Sequence, residues 1–275
     1  MNDNKKLFSK VFYVSSHGMA GDHMFDWFAK ALNSHPEVYV YMGESIRSKY
    51  LKERSRKDRP DINDFTNFLC DMGCDTYKMV GEVFSYRSYQ LLDLKDNYKE
   101  QIRCINLVRH PYAWLEHFVK WRVNNLNMLK ENNFSIKHEW SVTDHDKYKK
   151  LGLKGYKESD VEVWASFQGM TILNRMKSDI KTQDYVKNIP IENVFFSKDE
   201  FNKVVHYLSN ERLKFDDVIL NSVYKMTQYS FREKFKIIEN AKELYLGWPK
   251  WKKEAYKSIV SDDVNQMFLS YGYML

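Results

Sequence analysis

No apolar run in this chain approaches the ~20 residues that a membrane-spanning helix needs. The opening MNDNKKLFSK also lacks the apolar centre of a secretory signal. A cytoplasmic protein without integral membrane association is therefore expected. Cysteine is scarce: Cys70, Cys74 and Cys104 cannot pair completely, and a 275-residue chain has no need of disulfide staples. Cys70 and Cys74 stand four apart, with no second cysteine pair or histidine cluster to complete a zinc site, so they read as buried thiols and no metal is expected. Excess charge is small as well. Lys and Arg number 43 against 37 Asp and Glu, and a net charge of +6 suits anionic small molecules better than nucleic acid. The densest basic run, RSKYLKERSRKDR at 47–59, is broken by Glu53 and Asp58 and reads as a solvated helix face or as one wall of an anionic substrate site. Repeats, low-complexity tracts and nucleic-acid motifs are all missing. What is plentiful is apolar and aromatic material, 43% and 16% of residues, enough for a sizeable core.

That material is arranged in alternation. Short β-branched and aromatic runs at Val11–Val14, Val38–Tyr41, Thr76–Val80, Cys104–Val108 and Asn193–Phe196 read as strands. Between them lie helical patterns at 23–34, 62–71, 84–94, 111–130, 160–181, 198–209, 215–235 and 261–270. In 111–130, Trp114, Leu115, Phe118, Trp121 and Leu126 fall at helical spacing, as a core-facing stripe should. Alternation of this kind predicts an α/β fold, with a parallel sheet of about five strands covered by helices on both faces. One domain, 1–275, is expected, with the polar, Lys-rich stretch 131–157 as a lid or insertion over the site.

Two places carry chemistry. The first is KVFYVSSHGMAGDHMFDWFAKALNSHPEV, from Lys10 to Val38, where a strand, a small-residue loop and an apolar helix follow one another. Loop amides and the unpaired N–H groups of a helix's first turn converge on one spot, and the helix dipole favours negative charge there. A phosphorylated ligand is implied, held by Ser16, His17, Gly18, Met19, Ala20, Gly21, Asp22 and His23. The second is CINLVRHPYAWLEHF, where Arg109 leaves a strand just as a helix begins and Pro111 suits the first helical turn. In open parallel sheets ligands bind outside the carboxyl ends of strands, and an arginine there forks onto phosphate with paired hydrogen bonds.

Together these pieces resemble the sulfotransferase family that uses 3′-phosphoadenosine 5′-phosphosulfate (PAPS). LNSHPEV at 32–38 is similar to the end of that family's first helix, and LVRHPYAWLEHF at 107–118 to its 3′-phosphate motif. ENVFFSKDEF at 192–201 is similar to a later strand and helix start, and GWPKWKKEAYKSIV with the final YGY to the terminal basic loop and helix. The resemblance implies a three-layer α/β/α fold like that of the P-loop nucleoside-triphosphate hydrolases, with PAPS as co-substrate and no metal. It gives Arg109 and His117 the 3′-phosphate and brings Lys252 and Lys253 toward the nucleotide. It also implies transfer of a sulfuryl group to a hydroxyl acceptor, a sugar or a lipid being favoured.

This sequence departs from the family pattern in two ways. Segment 15–25 contains no Lys or Arg where the family has one beside the sulfuryl group, and His117 stands eight residues after Arg109 where the family has Ser. His17 or His23 could substitute for the loop cation, or a lysine could arrive from elsewhere, Lys78 or Lys252. A base for the acceptor hydroxyl is expected from Glu44, after the second strand, then from Glu82, after the third; His17 is expected among the catalytic residues as well. Two other readings stand beside this one. A sulfotransferase-like binding protein that has lost catalysis is favoured by the cation-free loop. A P-loop phosphotransferase is disfavoured, because GxxxxGK[ST] is absent.

Overall fold

The structure, a computed structural model, describes residues 8–16, 23–42, 60–99, 101–130, 161–225 and 241–275. The chain divides into two compact units. One comprises Met1–Val108 with Lys181–Glu233, the other Arg109–Ile180 with Lys234–Leu275.

The first unit contains a five-stranded, wholly parallel sheet in the order β2-β3-β1-β4-β5. Its strands are β1 (Val11–Ser16), β2 (Val38–Met42), β3 (Met79–Val83), β4 (Arg103–Val108) and β5 (Val186–Pro190). Around it run α1 (His23–Asn33), α2 (Ile62–Gly73), a 3-10 turn at Ser88–Leu92 leading into α3 (Asp93–Tyr98), then α6 (Ile191–Phe196), α7 (Lys198–Leu208) and α8 (217–225). The first crossover, from β1 to β2 through α1, runs opposite in direction to the next two, through α2 and α3. Right-handed connections then put α1 on one face and α2 with α3 on the other. The packing agrees. Ile62, Phe65 and Leu69 of α2 and Leu94 and Tyr98 of α3 share a buried cluster with Val11, Tyr13, Val80 and Cys104. On the other face Trp27 of α1 meets Phe195 of α6 at 4.6 Å and Phe201 of α7 at 5.9 Å between ring centroids. Each such ring removed from water stabilises by roughly 1.5–3 kcal/mol. The α/β/α expectation therefore holds.

Strand placement follows packing more than propensity. β3 lies three residues later than the apolar run suggested, because Gly81 has to sit under the ring of Phe12. A Cβ at Gly81 would come within 2.4 Å of Phe12 Cδ1, and Phe12 is fully buried. The strand expected at Asn193–Phe196 is instead part of α6, whose Ile191, Val194 and Phe195 bury at helical spacing. The fifth strand is VKNIP, which among the described residues pairs only with β4 at the sheet edge, so its Lys187 stays exposed and the polar residues hide its β character. In α2, Asp61 caps the helix by accepting from the Asn63 and Asp64 amides.

Among its described residues the second unit has the helices α4 (Pro111–Lys130), α5 (Val161–Arg175), α9 (Ala241–Gly247), α10 (Lys250–Ile259) and α11 (Asp262–Ser270). α4 and α5 pack closely at Gly169, where a Cβ would stand 2.5 Å from Leu115 Cδ1. The stretch 131–157 and the second half of the expected helix 215–235 lie outside the described residues.

Candidate functional site

In the first unit the chain moves from β1 toward β2 and β3, then returns past β1 to β4 and β5, so the strand order reverses at β1 and β4. Crevices outside the carboxyl ends of strands at such a reversal are the usual ligand positions in doubly wound sheets. β1 is buried over all six residues and ends there, at Ser15 (1% exposed) and Ser16 (6% exposed). His17, Gly18, Met19, Ala20, Gly21 and Asp22 lie outside the described residues, as does Glu44. His23 opens α1.

A polar row crosses this end of the sheet. Ser15 Oγ donates to Asn106 Oδ1 at 2.9 Å, and Asn106 Nδ2 donates to Asn188 Oδ1 at 2.8 Å, linking β1, β4 and β5. Asn106 is fully buried, so this row contributes mainly by leaving no amide stranded in a dry interior.

Glu82 lies inside β3 rather than after it, in register with Tyr13 of β1 and Tyr41 of β2. Its side chain is fully buried, and Oε1 accepts the Ser85 N–H at 2.7 Å. A buried carboxylate of this kind is tolerable only with such charge-assisted bonds. The turn that supplies the donor is strained. Phe84, a bulky residue, sits at φ 73°, and its amide donates to Val14 O at 2.7 Å. Burial pushes the nearby Tyr13 phenol well above its ordinary pKa, a rise that the neighbouring Tyr86 and Glu82 reinforce and the hydrogen bond with Thr66 opposes. Tyr13 OH and Thr66 Oγ1 are 2.7 Å apart.

Beyond the turn comes a residue that the sequence reading did not single out. Arg87 Nη1 donates to the Ser16 carbonyl at 3.2 Å, bringing a guanidinium to the last residue of β1. Its own amide is fixed by Gln90 Oε1 at 2.8 Å. The positional argument that selected Glu82 would have found Arg87 too, had β3 been placed at its true residues. Lys78, by contrast, forms an exposed pair with Glu37 at 2.8 Å, at the start of the strand.

In the second unit Arg109 is 4% exposed and stands two residues before the helix start. His110 O accepts the Trp114 amide at 2.8 Å and so opens α4. The His110 ring is held on both nitrogens: Tyr112 N–H donates to Nδ1 at 3.3 Å and Nε2 lies 3.0 Å from Met274 O. This fixes a neutral ring with its proton on Nε2, and burial lowers its pKa. Tyr112 stacks on Tyr245 at 4.7 Å and meets Trp248 and Tyr256 edge-on, which gives Trp248 a place in a buried aromatic cluster.

His117 is half-buried on α4. Lys252 is 1% exposed; its Nζ lies 2.5 Å from Glu116 Oε1 and 5.0 Å from the Trp248 ring. Lys253 Nζ donates to Leu246 O at 2.7 Å and sits 5.9 Å from the Tyr245 ring. No group of three or more metal-ligating His, Cys, Asp or Glu side chains occurs among the described residues. Cys70, Cys74 and Cys104 are free and buried, as the sequence reading expected.

No family model and no curated protein matches this chain. Among solved structures it is similar to the sulfotransferase domain from the Synechococcus PCC 7002 olefin synthase, with 16% identity, 96% of this chain and 94% of that one covered, and a TM-score of 0.41.

Proposed function

We propose that this protein transfers a sulfuryl group from 3′-phosphoadenosine 5′-phosphosulfate to a hydroxyl of an acceptor, a sugar or a lipid. The observation that carries the reading is the end of β1. A wholly buried central strand terminates at the reversal of strand order, with the Arg87 guanidinium on its last carbonyl and the buried Glu82 carboxylate on the strand beside it.

Sulfuryl transfer is in-line displacement, and catalysis consists mostly of positioning and of neutralising charge on the leaving oxygen. By the motif resemblance, Ser16 to His23 cradle the 5′ end of the nucleotide. Arg109 and His117 take the 3′-phosphate, and Lys252 and Lys253 complete the set, Lys252 with its charge already shared with Glu116. The chain needs no metal in this scheme. A carboxylate, Glu44 or Glu82, accepts the acceptor's hydroxyl proton while the acceptor oxygen bonds to sulfur. The bond from sulfur to the phosphate oxygen breaks, and adenosine 3′,5′-bisphosphate leaves.

A second reading, a sulfotransferase-like binding protein without turnover, draws on the absence of Lys and Arg from 15–25. Thermal-shift measurements separate the possibilities. Stabilisation by adenosine 3′,5′-bisphosphate and not by ATP supports the family reading, and turnover with PAPS then separates enzyme from binding protein. Magnesium-dependent stabilisation by ATP alone would replace both with a phosphotransferase.

A further inference from the structure

We infer that Arg87 supplies, from the far side of the β3 turn, the cation for the 5′-phosphosulfate that the segment after β1 does not itself provide. The inference rests on the sulfotransferase reading and deepens it at one end of the nucleotide. Three observations converge. The sequence between Ser15 and Phe25 carries no Lys or Arg, so neither residue type in that segment meets the negative charge of a phosphosulfate there. The Arg87 guanidinium is delivered to the Ser16 carbonyl, the last described backbone group of β1, at 3.2 Å. The turn that delivers it is held in an unfavourable backbone conformation at Phe84 (φ 73°) by the Phe84 N–H bond to Val14 O and the Ser85 N–H bond to Glu82 Oε1, each 2.7 Å.

A bulky side chain in the left-handed region persists only where its surroundings over-determine it. Here the surroundings are the ends of β1 and β3, and the result is one carboxylate and one guanidinium at the same strand ends. Of the candidate lysines, Lys78 pairs with Glu37 and Lys252 with Glu116, while the Arg87 guanidinium stands at the end of β1. A guanidinium keeps its charge across the whole working pH range and presents donors in a planar fork suited to phosphate and sulfate oxygens.

The test compares two nucleotides on the full chain by calorimetric titration, adenosine 3′,5′-bisphosphate and adenosine 3′-monophosphate, which lacks the 5′ group. Arg87→Gln keeps a side-chain donor for the Ser16 carbonyl and removes the charge. It should weaken the bisphosphate by about 10- to 150-fold, the loss of one charge-assisted bond, and leave the monophosphate within about twofold. Arg87→Lys restores the charge and should recover most of the difference. A purely structural tether gives another pattern, because both variants would then weaken the bisphosphate alike. That outcome, or a bisphosphate affinity unchanged in Arg87→Gln, overturns the inference while Arg109-dependent binding still supports the wider reading. Failure of the wild-type chain to bind the bisphosphate overturns both.

Discussion

Lys252 Nζ and Glu116 Oε1 lie 2.5 Å apart, the lysine side chain 2% exposed and the glutamate 29%. The pair ties α10 to α4 one residue before His117, and the Trp248 ring, 5.0 Å from the ammonium, completes the lysine's surroundings. Removing one partner of such a pair strands the other, and the half-open glutamate limits the damage because water reaches it. Lys252→Met should cost about 1–3 kcal/mol, measured by chemical denaturation. The double variant Lys252→Met/Glu116→Gln should recover at least half of that loss. Bisphosphate affinity should fall less in Lys252→Met than in Arg109→Ala. A double variant no more stable than the single would show that packing of the lysine stem, rather than the ion pair, holds the helices.

Glu44 and Glu82 are the two carboxylates proposed as the acceptor's base, and substitution separates them. Glu82→Gln keeps an oxygen for the Ser85 N–H and should spare bisphosphate binding. Turnover with PAPS and a competent acceptor should drop by about 10²- to 10⁴-fold if Glu82 is the base, and the acidic limb of the kcat profile should disappear with it. Full turnover in Glu82→Gln together with loss in Glu44→Gln assigns the base to Glu44. Full turnover in both removes the carboxylate base from the scheme.

His110 sets a pH dependence for the second unit. Its ring is neutral with both nitrogens engaged, and burial lowers its pKa. The folded state therefore takes up the proton less readily than the unfolded chain. Above the usual histidine value of about 6.5 neither state is charged and the full stability is present. As pH falls below that value the unfolded chain binds protons first and stability declines. His35, buried and also lowered in pKa by desolvation, acts in the same direction in the first unit. The melting temperature should thus fall between pH 7.5 and pH 5.5, and His110→Asn should show a shallower fall. An identical slope in that variant would assign the acid sensitivity to other groups.

Much of the fold was legible because local and tertiary signals agreed. The run Val11–Val14 is buried on both faces of the sheet, so its continuous apolar character is the one a central parallel strand requires. Asp61 before an apolar pattern marks the start of α2, and Pro111 after Arg109-His110 marks the start of α4. Two strands were misplaced where packing overrode propensity. Gly81 looks like a breaker until the Phe12 ring above it is known, and β5 looks polar because it lies on an edge. Of the candidate site residues, Glu82 was expected just after the third strand and lies inside it instead, because that strand runs three residues later than the apolar run suggested. Arg87 was missed because the third strand was read three residues too early, which left Arg87 well past the apparent strand end. The Asn106–Asn188 bond was hidden because its partners are distant in sequence.

The claim on which the account depends is that the chain holds a nucleotide bearing phosphates at both the 3′ and 5′ positions. Calorimetric titration of the wild-type chain and of Arg109→Ala with adenosine 3′,5′-bisphosphate tests it most directly. Saturable one-to-one binding by the wild type, with most of the affinity lost in a folded Arg109→Ala, is the expected result. Equal affinity in the two proteins, or no binding by the wild type, would contradict the account.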